Sequence, residues 1–198
     1  MDMNKEEGVK ERIVDTAWKL FHEKGFEDTT LNDIIGAAHI SKGSFYYYFD
    51  SKDTLLNTLS IILDRHYMEL EIEMRDENIE NCFDQLMYLN YRMHSYMDEN
   101  IGPNLIGNLY SAQIVKKEGG NLLDRNRYYY KLMMSIVEEG QKRGEITDKY
   151  SVSVTVNMYS LVERALVTDW CMCNGTYPLG DFSREWMPIL FRGFKGDK

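Results

Sequence analysis

Prolines are scarce in this sequence, and their positions limit the folds it can adopt. The 198 residues include three prolines, Pro103, Pro178 and Pro188, so the first hundred residues contain no helix breaker. Alternation typical of β-strands is almost absent. One run, SVSVTV at 151–156, could be a strand, but it lies between helical patterns without an evident partner, and we assign it to a helix. The sequence therefore predicts an all-α fold.

Apolar residues at helical spacing predict a series of helices, separated by glycines or by residues that favour helix caps. Asp50 or Ser51 is the expected cap of the fourth helix, and Gly25 is the expected end of the first. In chain order the predicted helices cover about residues 6–24, 30–38, 42–49, 52–70, 78–98, 103–116, 121–143, 151–173 and 181–194. No internal repeat or low-complexity segment interrupts them.

The composition is that of a globular protein, with 43% hydrophobic residues. The first residues, MDMNKEEGVKER, are charged and lack the apolar core of a signal peptide, and no stretch approaches the ~20 apolar residues that span a bilayer. We therefore expect a cytoplasmic protein that does not interact with membranes.

The three cysteines, Cys82, Cys171 and Cys173, favour free thiols, since their odd number and irregular spacing do not suggest a disulfide framework. On a helix, Cys171 and Cys173 would point about 200° apart and would not converge on one metal ion. A redox role for this pair remains an alternative to simple burial. The sequence predicts no metal site and no cofactor.

Two short helices with strong capping signals follow one another closely. Thr30-Leu31-Asn32-Asp33 has the spacing of a capping box, and Ser41 can cap the first amides of the next helix. Only a tight turn at His39-Ile40 separates the two helices. This arrangement predicts a helix-turn-helix, whose second helix enters the major groove of DNA.

The second of these helices carries five consecutive aromatic residues, FYYYF at 45–49. Consecutive side chains on a helix lie about 100° apart, so the run cannot be buried as a whole. We expect Phe45 and Phe49 to face the core with Tyr48 near their side, and Tyr46 and Tyr47 to face outward. The outer side also holds Lys42 and Ser44, and Gly43 lets the main chain approach a duplex closely.

Lys52 is predicted in the first turn of the fourth helix, where a positive charge opposes the helix dipole. A bound phosphate, held by the free amides and the ammonium, would explain this position. The simpler interpretation is a solvated lysine.

Residues 10–56 resemble the DNA-binding domain of the TetR family of bacterial transcriptional regulators, through IVDTAWKLFHEKGFEDTTLNDII, AAHISKGSFYYYF and SKDTLL. His39 stands where that family usually has glycine, a position that implies a positive φ. The resemblance implies that Tyr48 matches a position often held by histidine. The DNA-contacting positions that it implies are Thr30, Lys42, Gly43, Ser44, Tyr46, Tyr47, Tyr48 and Lys52.

The resemblance also implies two domains, a helix-turn-helix domain at 1–56 and a helical effector-binding and dimerisation domain at 57–198. A homodimer would present two recognition helices to a pseudo-palindromic operator in double-stranded DNA. The helices at 121–143 and 151–173 are the expected dimerisation pair. Their candidate interface positions are Leu132, Ile136, Val156, Tyr159 and Val162.

The small-molecule effector is expected to be partly apolar, because methionines and tyrosines are abundant in the larger domain. For each residue proposed for its pocket, ordinary core is the simpler interpretation. The candidate lining residues are Tyr67, Met87, Tyr91, Met93, Tyr110 and Trp170.

The net charge of −9 is unusual for a DNA-binding protein. Residues 39–52, however, hold two lysines and one aspartate, and this local balance acts on phosphates within a Debye length of ~8 Å. We expect little non-specific binding and a modest salt dependence.

No catalytic motif is recognisable, and no catalytic residue is predicted. The leading interpretation is a ligand-responsive DNA-binding regulator, most simply a repressor released from its operator by the effector. The alternative is a helical homodimer that binds a small molecule or protein without sequence-specific DNA binding. An enzyme is the third and weakest interpretation.

Overall fold

The computed structural model describes residues 3–115 and 122–197, and within these residues the fold is helical, as the sequence predicts. A single antiparallel bridge, between Ile146 and Lys195, is the only β-type pairing in the described part of the chain. Short 3₁₀ turns cover Asp53–Thr58 and Arg192–Phe194. The α-helices are α1 Met3–Lys24, α2 Leu31–Ala37, α3 Lys42–Tyr48, α4 Leu59–Asp76, α5 Cys82–Asn100, α6 Pro103–Val115, α7 Tyr128–Arg143, α8 Val152–Met172 and α9 Leu179–Leu190.

The chain divides into two compact units. The first comprises the described residues up to Ser60 together with those of 108–115, and the second comprises 61–107 and 122–197. The domain boundary expected from the sequence, after residue 56, stays a prediction.

The first unit is built on the apolar stripe of α1. Ile13 and Ala17 are fully buried, Phe21 is nearly so, and α2 packs against this helix. The indole of Trp18 donates to the Thr58 hydroxyl at 2.9 Å, which connects α1 to the 3₁₀ turn before α4. The apolar spacing that predicted α1 is therefore the spacing of its buried face.

In the second unit α5 packs against α7 and α9, and α8 packs against α7 and α9. His94 of α5 and Ser183 of α9 form a buried hydrogen bond of 2.5 Å between Nδ1 and Oγ. Burial lowers the pKa of His94 to about 3, so the ring is neutral and serves packing between the two helices.

Several boundaries differ from those expected; α4 extends to Asp76 where 70 was predicted, and α9 covers Leu179–Leu190 where 181–194 was predicted. The helix predicted at 121–143 begins at Tyr128; residue 121 lies outside the described residues, and 122–127 form turns. There, the Asp124 carboxylate accepts from the Asn126 amide at 2.9 Å, a local bond that competes with helix formation. The helix predicted to start near residue 52 begins with the 3₁₀ turn instead, and this turn has no side-chain cap. The helix predicted to start at residue 78 begins at Cys82 as α5, after the Asn81 cap.

The SVSVTV run is helical, as predicted. Ser151 is the N-cap of α8, and its hydroxyl accepts from the Val154 amide at 3.4 Å. A serine cap and the absence of a partner strand thus outweigh the alternation of the sequence.

Candidate functional site

The two capping motifs expected around α2 and α3 are both present. The Thr30 hydroxyl accepts from the Asp33 amide at 3.2 Å, and the Asp33 carboxylate accepts from the Thr30 amide at 2.9 Å. The Thr30 hydroxyl also donates to the Asp33 carboxylate at 2.7 Å, and this bond together with the one from the Thr30 amide lowers the pKa of Asp33 to about 2. At α3 the Ser41 hydroxyl accepts from the Ser44 amide at 3.0 Å. Each helix therefore begins at the residue that its cap predicts.

The turn between α2 and α3 depends on a left-handed residue. His39 has φ 52°, the positive value that its place in the sequence suggests. Its amide donates to Gly36 O and the Ile40 amide donates to Ile35 O, both at 3.2 Å, which ends α2 in a Schellman-type turn. The turn fixes the direction in which α3 leaves α2.

The aromatic run on α3 divides between two sides of the helix as expected. Phe45 is fully buried and Phe49 is nearly so, whereas Tyr46 is 47% exposed and Tyr47 is 70% exposed. Tyr48 is half-buried, with its ring 4.8 Å from that of Tyr47. The exposed side of α3 is thus aromatic.

The polar residues of this surface lie on the same short helix. Lys42 and Gly43 are exposed, and Ser44 is half-buried. The Lys42 ammonium lies 5.9 Å from the centre of the Tyr46 ring. We call Lys42, Gly43, Ser44, Tyr46 and Tyr47 the recognition face.

Lys52 has a structural partner that the sequence did not reveal. Its ammonium donates to Phe26 O at 2.6 Å and to Glu27 O at 3.4 Å, and it lies 4.3 Å from the centre of the Phe26 ring. The lysine therefore holds the turn before α2. Its contact with a phosphate stays a prediction, and in this arrangement its charge is directed toward main-chain carbonyls.

The six residues expected to line an effector pocket do not form one cluster. Met93 and Trp170 are fully buried in the core of the second unit, Tyr67 is almost fully buried, and Tyr110 belongs to the first unit. Met87 and Tyr91 share a half-open cleft of about 380 Å³ between α5 and α9. The cleft is lined by Phe83, Asp84, Met87, Tyr88, Tyr91, Ser183, Arg184, Pro188 and Lys195.

A buried polar cluster lies between α5, α7 and α8. The Glu163 carboxylate accepts from the Tyr129 hydroxyl and, at 3.1 Å, from the Asn90 side chain. Tyr159 donates to the main-chain oxygen of Leu86 at 2.7 Å. We call Asn90, Tyr129, Tyr159 and Glu163 the polar seam.

Sequence reasoning identified only Tyr159 of this group, and in another role. Thr155, Tyr159 and Glu163 are spaced four apart on α8 and are all buried. Polar residues repeating at this interval along α8 were the available signal.

The five expected dimer contacts stay predictions, and four of them are buried within the protomer. Val156 and Tyr159 are fully buried within the protomer, and Leu132 and Ile136 are each 6% exposed. Their side chains form part of the protomer's own core. Val162 is half-buried.

The helix α8 also has exposed apolar residues. Val154, Met158 and Leu161 are three or four residues apart, which places them on one side of the helix. The neighbouring α9 exposes a similar group. We call these residues the α8–α9 face: Val154, Met158, Leu161, Trp186, Ile189 and Leu190.

The described part of the chain contains no candidate metal site and no candidate membrane span. No group of three or more histidine, cysteine, aspartate or glutamate side chains in residues 3–115 and 122–197 could hold a metal ion. No helix there is both long enough and apolar enough to cross a membrane. Burial raises the pKa of the Cys171 thiol to about 11, which makes it a poor nucleophile at neutral pH.

Two family models match this chain. Residues 13–59 match the model described as bacterial regulatory proteins, tetR family, and residues 112–193 match that of the YsiA-like protein C-terminal region. The first match contains the whole helix-turn-helix.

Curated relatives match over the N-terminal part. The biofilm operon icaADBC HTH-type negative transcriptional regulator IcaR of Staphylococcus epidermidis is 33% identical over 86 residues, which are 43% of this chain and 36% of the relative. IcaR of Staphylococcus aureus strain Newman is 49% identical over 47 residues, 24% of this chain and 25% of the relative. The matched segments thus span only about a quarter to a third of these relatives.

Solved structures of transcriptional regulators share the fold over nearly the whole chain. FadR from Bacillus subtilis, in complex with stearoyl-CoA, has a TM-score of 0.65 and 21% identity over 92% of this chain and 98% of that one. Thermus thermophilus FadR, in complex with lauroyl-CoA, has a TM-score of 0.70 and 18% identity over 96% of each chain. The helix-turn-helix geometry, the family models and the relatives agree, and the chain belongs to the TetR family of bacterial transcriptional regulators.

Proposed function

We propose that this protein is a transcriptional repressor that binds a pseudo-palindromic operator as a homodimer and is released from it by a small-molecule effector. The observation that carries the proposal is the recognition face of α3. Two adjacent tyrosines, Tyr46 and Tyr47, are exposed beside Lys42 on a helix anchored by Phe45.

The chemistry of the recognition face suits the major groove. A tyrosine ring can pack on a sugar or a thymine methyl, while its hydroxyl donates to a phosphate oxygen. The exposed main chain at Gly43 permits close approach, because no side chain intervenes. Thr30, Ser44 and Tyr48 are further proposed contacts, and Lys52 is a proposed contact that must first leave the carbonyl oxygens of Phe26 and Glu27.

A second copy is proposed to pack on the α8–α9 face. Soluble proteins rarely leave large apolar side chains exposed as a continuous group without a partner. Trp186 is 41% exposed and Leu161 is 52% exposed, and α8 packs against α9, so the two helices offer one surface. Two such pairs form a four-helix bundle with isologous contacts.

Release from DNA requires that the effector bind two conformations of the protein with different affinity. Two contacts with one carboxylate of α4 connect this helix to the start of α7. Arg127, just before α7, pairs with Asp64 of α4 at 2.6 Å, and the Tyr128 amide donates to the same carboxylate at 3.1 Å. A displacement of the start of α7 would therefore act on α4.

The proposal is tested by fluorescence anisotropy with DNA from upstream of the protein's own gene, using random DNA as competitor. Tyr47→Ala and Lys42→Ala should each weaken specific binding about 10- to 100-fold, the usual effect of losing one good DNA contact. Lys149→Ala, an exposed lysine in the second unit, is the matched control and should bind like the wild type.

The repressor proposal fails if no upstream fragment competes better than random DNA, or if Tyr47→Ala and Lys42→Ala bind as tightly as the control. Native mass spectrometry of the purified protein would detect a small molecule that remains bound. Adding the recovered molecule should then reduce the anisotropy of the operator complex.

A further inference from the structure

Glu163 is an ionisable residue enclosed in the core of the second unit without a salt bridge to a described cation. It is 7% exposed, and its hydrogen-bond partners Tyr129, Asn90 and Tyr159 are all neutral, so that burial raises the pKa of its carboxyl group. Among the ion pairs of the described residues, none includes Glu163. The adjacent Arg164 donates instead to the Ser160 hydroxyl.

The polar seam has more acceptors than donors. The side-chain oxygen of Asn90, a fully buried residue, has no hydrogen-bond partner among the described residues. Tyr159 has one hydroxyl proton, which it donates to Leu86 O at 2.7 Å and shares with Glu163. A carboxylate can accept about four hydrogen bonds, so Tyr129, Asn90 and the shared Tyr159 proton leave the Glu163 carboxylate partly unsatisfied. The missing partner of the seam is therefore a donor.

A second polar atom without a partner lies two turns away on the same side of α8. The Thr155 hydroxyl is buried and makes no hydrogen bond with a described residue. Thr155, Tyr159 and Glu163 are spaced four apart, so they form one row along the buried side of the helix. Unsatisfied polar atoms thus occur at two levels of this row.

The aromatic surroundings of the seam favour positive charge. The rings of Tyr67 and Tyr129 lie 5.1 Å apart, and Tyr159 is fully buried. The faces of aromatic rings attract cations. A carboxylate or phosphate brought next to Glu163 would instead place two like charges in a medium of low dielectric constant.

We propose that the effector of this regulator carries a protonated amine, whose N–H groups are bound in the polar seam by the Glu163 carboxylate and the side-chain oxygen of Asn90. An alkylammonium group supplies three donors and one positive charge, which the seam lacks. The inference rests on the proposed function, in that it names the chemical class of the effector. The helices of the closed seam must part for the amine to enter, which links its binding to a change of conformation.

The test is isothermal titration calorimetry of the full chain at pH 7 with n-octylamine, octanoate and octanol, which share one alkyl chain. Octylamine should bind saturably and more tightly than octanol, and octanoate should not bind. Glu163→Gln should weaken octylamine binding about 10- to 100-fold, the effect of losing one charge-assisted hydrogen bond, and leave octanol binding unchanged.

Two further variants separate recognition from folding. Glu138→Gln, on the exposed side of α7 where Glu138 pairs with Lys142 at 3.0 Å, is the matched control and should bind octylamine like the wild type. Tyr129→Phe removes a hydroxyl that competes with the amine for Glu163, but it leaves the Glu163 carboxylate and the Asn90 oxygen in place. This variant should therefore bind octylamine at least as tightly as the wild type. This variant keeps the test decisive if Glu163→Gln does not fold.

The amine proposal is overturned if octanoate or lauroyl-CoA binds the wild type and octylamine does not, or if Glu163→Gln binds octylamine unchanged. The amine proposal is also overturned if the calorimetric titration detects only the protonation of Glu163 and no bound amine. Operator binding is measured separately on the same samples. If the wild type selects upstream DNA but not octylamine, the repressor proposal stands and the amine proposal fails; if it binds octylamine but selects no DNA, the reverse holds.

Discussion

At the scale of single residues, local chemistry accounts for most of the helix-turn-helix. Thr30 and Ser41 cap the two helices, and His39 has φ 52° in the turn between them. Each of these features could be predicted because the partners lie within a few residues of one another. Lys52 is the exception, since its partner Phe26 O is 26 positions away in the chain.

The capping box makes a prediction about pH. Thr30→Ala should return the pKa of Asp33 from about 2 toward its ordinary 3.8, because the main cause of the lowered pKa is its hydrogen bonding with Thr30. The pKa of Asp33 is lower in the folded than in the unfolded chain. Its stabilisation is therefore present above about pH 4 and is lost as the pH falls toward about 2.

Heteronuclear NMR of the side-chain carboxyl carbons during a pH titration would measure this shift. Ser41→Ala removes a cap that involves no acid, so it serves as the control and should leave the pKa of Asp33 unchanged. An Asp33 pKa that stays near 2 in Thr30→Ala would contradict the assignment of the shift to the capping box.

At the scale of elements, α8 shows why the buried side of a helix is not always evident from the sequence. The helix is apolar on nearly every side: Val156, Tyr159 and Val167 face the core, while Val154, Met158 and Leu161 are exposed. A helix that is hydrophobic all round has no periodicity to distinguish the two directions. The neighbours of α8 decide which side is buried.

The α8–α9 face can be tested with a single charge. Leu161→Glu should convert the dimer to a monomer of 23.3 kDa, with the Kd of dimerisation weakened about 100-fold or more. The physical reasons are the lost burial of leucine and the desolvation of a carboxylate. Sedimentation velocity measures the change.

The control for this variant is Ile72→Glu on α4, where the side chain is 60% exposed but lies outside the α8–α9 face. This variant should remain dimeric. If both variants stay dimeric, the second copy packs on another surface.

At the scale of the whole molecule, charge limits how the protein can bind DNA. With a net charge of −9, attraction to the phosphates must come from a few local cations. Each protomer offers Lys42 on the recognition face, and Lys52 only if it leaves its carbonyl partners. Non-specific binding should therefore be weak.

The salt dependence of operator binding shows whether Lys42 alone, or Lys42 and Lys52 together, contact the phosphates. If Lys42 alone neutralises a phosphate in each protomer, a plot of log K against log salt should have a slope of about −2; if Lys52 also does, about −4. Anisotropy titrations at several salt concentrations give this slope, and Lys52→Gln shows which value applies. A slope steeper than about −6 would mean that cations outside the recognition face contact DNA.

The sequence by itself determined the order of the helices, the caps of α2 and α3, the turn at His39 and the division of the aromatic run, because these depend on partners one to five residues apart. The tertiary structure decided the rest. Glu163 reaches Asn90 across 73 positions and Tyr129 across 34, so no local pattern could show that its carboxylate is buried without a cation. The same holds for Lys52 and for the exposed side of α8, whose surroundings exist only once distant segments have packed together.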